Sequence, residues 1–193
     1  TVQIEGDNGS SERQGQIPFV VHSGTVTLAD GAVLKTNGGD TDLIYNQNGG
    51  SGILMFDGTA IKGAGEIVTV GGNSKAGTAG SGVSVATEDA DGGVTFGKGR
   101  ATISVSKLSA AGGNSAMPGE PTPPFEGGSS RTAGNGIDKG IDVSGTGEVN
   151  AAGGAGEKAG VADANKTIES DAVTGVSSFD IAWGIGNAAA AST

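Results

Sequence analysis

The chain has 193 residues, a formal net charge of −10, 39 glycines, no cysteine, and only five Phe, one Trp and one Tyr. The acidity argues against a phosphate-binding basic surface and against docking on anionic lipid. The missing cysteines exclude disulfides and thiolate chemistry, and no apolar run reaches the ~18 residues a membrane helix needs.

Residues 1–16 read as a short strand followed by a polar loop, and Ile17-Pro18-Phe19-Val20-Val21 opens the ordered part. The first residue is Thr1 rather than Met, which suggests a mature chain whose secretory signal has been removed. Thr25-Val26-Thr27-Leu28 alternates with period 2, the mark of a half-buried strand. Asp30-Gly31 turns the chain into Ala32-Val33-Leu34. Short β-type runs follow at Leu43-Ile44-Tyr45, Ile53-Leu54-Met55-Phe56, Ile67-Val68-Thr69-Val70, Val83-Ser84-Val85, Val94-Thr95-Phe96 and Ile103-Ser104-Val105. Residues 110–136 hold Pro118, Pro121, Pro123 and Pro124 and are expected to form a loop excursion, because proline cannot donate to a strand ladder. Ile141-Asp142-Val143 and Glu148-Val149 resume the pattern, and 151–165 reads as a turn or short helix. Residues 173–186 form an amphipathic C-terminal strand with Phe179, Ile181, Trp183 and Ile185 on one face.

The turns echo along the chain. Asp30-Gly31 returns as Asp57-Gly58, an offset of 27, and Thr78-Ala79-Gly80 returns as Thr132-Ala133-Gly134, an offset of 54. Gly63-Ala64-Gly65-Glu66-Ile67 returns as Gly145-Thr146-Gly147-Glu148-Val149, an offset of 82. Such recurrence points to stacked architecture. The expected fold is a single all-β domain over 1–193: a β-solenoid of about seven layers of ~27 residues, with a two-sheet sandwich or jelly roll as second choice.

The segments Gly24-Thr25-Val26-Thr27-Leu28-Ala29-Asp30-Gly31-Ala32-Val33-Leu34 and Gly63-Ala64-Gly65-Glu66-Ile67-Val68 resemble right-handed β-helix segments of bacterial surface and autotransporter passenger proteins, and similar runs in phage fibres. The resemblance covers about residues 20–105. It implies an extracellular, non-catalytic, adhesive or structural role. The proline-rich segment and the terminal strand depart from it and leave room for a pilin-like sandwich.

Candidate chemistry is sparse. His22 is the sole histidine, with Asp30 eight residues on, but no Gly-x-Ser-x-Gly elbow accompanies them, so a strand-end or surface histidine is the favoured reading. Glu88-Asp89-Ala90-Asp91-Gly92-Gly93 offers Glu88, Asp89 and Asp91 as hard oxygens in a tight turn, and Asp40 with Asp42 a second pair. Calcium is the ion they would suit, solvated acidic turns the plainer reading. Polysaccharide cleavage needs paired carboxylates and is usually accompanied by aromatic platforms, yet Tyr45 and Trp183 are the only Tyr and Trp. Asn8-Gly9-Ser10 and Asn165-Lys166-Thr167 match glycosylation acceptors.

The expected function is therefore that of a secreted structural protein, not an enzyme. It would be the subunit of an extracellular filament, pilus or cell-surface layer assembling with copies of itself through strand edges and the Phe179/Ile181/Trp183/Ile185 face. The alternatives are an adhesin touching glycans or a host surface through Pro118–Pro124, and a polysaccharide-active enzyme. No nucleic-acid partner, membrane insertion or cofactor is expected.

Overall fold

The computed structural model describes residues 1–9, 14–41, 48–75, 77–115, 132–162 and, in its backbone pairing, 178–182. These residues form strands and turns, with no helix among them. The strands are β1 (Val2–Glu5), β2 (Phe19–Val21), β3 (Thr25–Leu28), β4 (Val33–Asn37), β5 (Ile53–Phe56), β6 (Ala60–Gly63), β7 (Glu66–Val70), β8 (Val83–Glu88), β9 (Val94–Phe96), β10 (Ala101–Ser104), β11 (Lys107–Ala111), β12 (Ile141–Val143), β13 (Glu148–Ala152) and β14 (Ser178–Ala182).

Three sheets result, and the chain visits them in rotation. The first has the order β2-β5-β8-β9, the second β12-β10-β6-β3, and the third β1-β4-β7-β11-β13-β14. Thus β2, β3 and β4 fall in sheets one, two and three, and β5, β6 and β7 repeat the circuit. Every strand pair is parallel except β8 with β9, a hairpin inserted before the chain moves on to β10.

The pairing registers correct the expected step. Leu34 pairs with Ile67, Ile67 with Leu108 and Leu108 with Val149, steps of 33, 41 and 41 rather than 27. The offset of 82 between the two Gly-x-Gly-Glu turns is two such circuits, since Glu66 pairs with Lys107 and Lys107 with Glu148. The offset of 27 joins different corners: Asp30-Gly31 lies between β3 and β4, Asp57-Gly58 between β5 and β6. Both turns need a left-handed glycine (Gly31 at φ 70°, Gly58 at φ 75°), so the same dipeptide recurs for a local reason. The offset of 54 is a real stacking contact, because the Ala79 amide donates to the Thr132 carbonyl at 2.9 Å.

Inward side chains stack in columns. Ile53 pairs with Val83 in the first sheet; Val26, Ile61, Ile103 and Val143 align in the second; Leu34, Ile67, Leu108 and Val149 align in the third. Ile53, Ile61, Ile67, Val83, Ile103 and Leu108 are fully buried in one cluster. One or two β-branched or leucine residues per strand thus suffice, which is how a chain poor in aromatics fills its interior. β5 is buried on both faces because its outward Leu54 and Phe56 form a second cluster with Ala86, covered by Ile17.

Within the stretch 110–136, Ala110 and Ala111 complete β11, Ser115 bridges to Ser74, and Ile137 beyond it bridges to Val83; the prolines at 118–124 lie outside the described residues. β14 supplies part of the expected 173–186 strand and pairs parallel with β13 of its own chain, Phe179 opposite Val149 and Ile181 opposite Ala151. Trp183 and Ile185 lie outside the described residues.

Candidate functional site

The third sheet is joined to the next strand of the first by glycine-rich arms, and these arms meet in a seam. The amide of Gly39 donates to the carbonyl of Gln16, Gly50 to Gly39, Gly72 to Gly50, Gly80 to Gly72, Gly113 to Gly80, Gly134 to Gly113, Gly154 to Gly134 and Gly160 to Gly154, at 2.8–3.0 Å. Successive links alternate between an arm leaving the third sheet and an arm entering the first. A Cβ on Gly80 would lie 2.0 Å from the Gly50 carbonyl oxygen, and one on Gly134 1.8 Å from that of Gly80. No side chain fits at such a distance, so this seam accounts for much of the glycine content.

A groove borders each side of the seam. The first, of about 400 Å³, is polar and contains Glu5, Asn8, Asn37, Asp40 and Asn73. Its wall is a ladder of side-chain amides and one carboxylate: Asn8 Oδ1 accepts the Asp40 amide at 3.0 Å, Asp40 Oδ1 the Asn73 amide at 2.7 Å, Asn73 Oδ1 the Asn114 amide at 2.8 Å, and Asn114 Oδ1 the Ala155 amide at 2.8 Å. Each side chain therefore closes a backbone donor in the following layer.

The second groove, of about 210 Å³, runs past Asn48, Ser51, Thr78, Ser81, Ser84, Phe96 and Asp138. Asp138 follows Ile137, whose bridge to Val83 fixes it against the first sheet. Asp138 Oδ1 accepts from Ser81 Oγ at 2.8 Å and from Asn135 Nδ2 at 2.8 Å. Burial pushes its carboxyl above the ordinary carboxylate range, while the Asn135 amide and Ser81 hydroxyl pull the other way. Phe96 is presented by the β8–β9 hairpin and is 59% exposed.

The sequence-predicted residues fall elsewhere. His22, just past β2, places Nε2 2.7 Å from Glu88 Oε2 and its ring 4.6 Å from that of Phe56; Asp30 lies beyond β3. Glu88 is thereby engaged, and Asp89 Oδ1 accepts the amides of Asp91 at 3.1 Å and Gly93 at 2.7 Å, so its carboxylate closes the hairpin turn. Among the described residues no three metal-ligating side chains of His, Cys, Asp or Glu type converge. Asp40 belongs to the amide ladder, and Asp42 and Tyr45 lie outside the described residues, as does Asn165. No helix among the described residues is long and apolar enough to cross a membrane.

Sequence reasoning missed Asp138 and Phe96. The available signal was the triplet Gly49-Gly50-Ser51-Gly52-Ile53, Ala79-Gly80-Ser81-Gly82-Val83 and Ala133-Gly134-Asn135-Gly136-Ile137, which leads into the first sheet and ends beside Asp138. The matching signal for the other groove was Gly38-Gly39-Asp40-Thr41, Gly71-Gly72-Asn73-Ser74 and Gly112-Gly113-Asn114-Ser115.

No family model, curated protein or solved structure matches the chain.

Proposed function

We propose that this chain is a β-solenoid building block of an extracellular filament, pilus or cell-surface layer, and that it assembles with further copies of itself by adding layers at its ends. The observation that carries the reading is the open end formed by β1, β2 and β3. Among the described residues, each is an edge strand with a partner on one side only. Beneath them lies an apolar cavity of about 230 Å³ lined by Phe19, Val26, Leu28, Val33 and Leu34. Unpaired edges beside uncovered apolar side chains form a template for another parallel layer. At the opposite end of the third sheet β14 is again the edge strand among those described. The parallel pairing and the rotation through three sheets support a solenoid over a sandwich, whose sheets are antiparallel. Head-to-tail contact between unlike ends that adds layers along one axis, with no rotation that closes a ring, yields a fibre.

Negative-stain imaging and sedimentation of the purified protein test this. The expected result is rods that lengthen with concentration and shorten when Val26→Asp charges the open end. A wild-type protein that stays monomeric at every concentration overturns it.

A further inference from the structure

We propose that the groove beside Asp138 binds a single neutral pyranose ring, with the Asp138 carboxylate accepting sugar hydroxyls and Phe96 as the stacking platform. At about 210 Å³ the groove is smaller than the ~300 Å³ at which drug-sized pockets begin, so it accommodates one ring rather than a chain. Asp138 is already positioned: Ser81 and Asn135 hold Oδ1 at 2.8 Å each. Oδ2 takes no hydrogen bond from any described residue, which leaves a fixed, charge-bearing acceptor for a pair of vicinal hydroxyls. The hydroxyl-bearing Ser51 and Thr78 line the same space.

Phe96 supplies the second half of the argument. β9 is the single antiparallel strand among those described, inserted between β8 and β10. Its turn is closed by two amides on Asp89, so the hairpin holds an aromatic ring at the groove in a conformation that leaves it 59% exposed. An apolar ring next to a carboxylate and hydroxyls matches the two-faced chemistry of a sugar, with C–H groups on one side and hydroxyls at the edge. Among the described residues that line it, the groove has no Lys or Arg and a single carboxylate, which repels anions, so phosphate and acidic saccharides are disfavoured.

The test is ligand-observed NMR on the whole chain with glucose, galactose, mannose and N-acetylglucosamine, and with tetramethylammonium as a cationic control. The expected result is saturable binding of at least one sugar with a Kd on the order of 1 mM, the affinity that about 4 kcal/mol of binding free energy gives. Phe96→Ala changes an exposed side chain and should weaken it at least ~10-fold, about 1.4 kcal/mol. Wild-type binding should fall on acidification as Asp138 gains a proton, and Asp138→Asn should bind more weakly with no such pH dependence. Failure of all four sugars to bind, binding unchanged in both variants, or binding of tetramethylammonium alone would each overturn the proposal. None of these readouts depends on whether the protein forms rods.

Discussion

Thr36 donates its hydroxyl to that of Thr69, 33 residues on, at 2.8 Å inside the stack, and Thr69 donates in turn to the Gly82 carbonyl at 2.8 Å. Both threonines are buried, in a column continued by Ala110 and Ala151. Thr69→Ala has a size already used one layer on, but it strands the Thr36 hydroxyl. The expected loss is about 1–3 kcal/mol by urea unfolding. The Gly82 oxygen keeps the Ile53 amide at 3.0 Å, so it is not orphaned. The double variant Thr36→Ala/Thr69→Ala should therefore lose less than the sum of the singles, with a coupling of about 1 kcal/mol. Strict additivity would mean that the hydroxyl pair contributes nothing.

The glycine seam predicts a sharp positional contrast. Gly134→Ala would place its Cβ 1.8 Å from the Gly80 carbonyl oxygen, a backbone atom held on both sides by the ladder. The layers must separate to admit it, at a cost above the ~1–3 kcal/mol usual for overpacking. Gly24 has φ +75°, and a methyl group there would meet nothing within 4 Å. Gly24→Ala should cost only the ~1–2 kcal/mol of a left-handed alanine. Thermal melts of the two variants check this, and equal losses would refute the close-packed seam.

Much of the all-β character was legible because it depends on local alternation. Thr25-Val26-Thr27-Leu28 shows its half-buried face in any context. The layer length was not legible from the Asp-Gly echo. A left-handed turn is demanded wherever the chain bends tightly, so Asp30-Gly31 and Asp57-Gly58 recur without sharing a corner. The informative repeat was the Gly-Gly-Asx run, whose spacing is set by hydrogen bonds between layers and not by local conformation. Asp138 carried no motif of its own. Its environment is made by Ser81, 57 residues earlier, and by a hairpin whose placement depends on the stacking.

Asp138 gives a pH dependence. Its carboxyl is raised above 3.8 in the folded state, chiefly by burial. Between 3.8 and that raised value the folded chain holds the extra proton, so the stability contributed by this group falls as pH rises through the window. Asp138→Asn keeps an oxygen for Ser81 and removes the charge. Its melting temperature should exceed that of the wild type at neutral pH, and the difference should shrink in mild acid. A difference that grows on acidification would reverse the assignment.

The amide ladder yields the last contrast. Asp40 Oδ1 accepts both the backbone amide of Asn73 at 2.7 Å and its side-chain Nδ2 at 3.1 Å. Asn73→Asp still offers an acceptor to the Asn114 amide but replaces the Nδ2 donor with a second carboxylate against Asp40. Loss of one charge-assisted hydrogen bond costs about 1.5–3 kcal/mol, and like-charge repulsion adds to it. Asp40→Asn moves the other way: its oxygen can still take the Asn73 amide, and the column becomes neutral. The first variant should regain part of its lost stability in high salt, because screening weakens repulsion between exposed charges, whereas the second should show little salt response. Equal salt responses in denaturant titrations would show that the ladder is held by its backbone amides alone, with the charge on Asp40 playing no part.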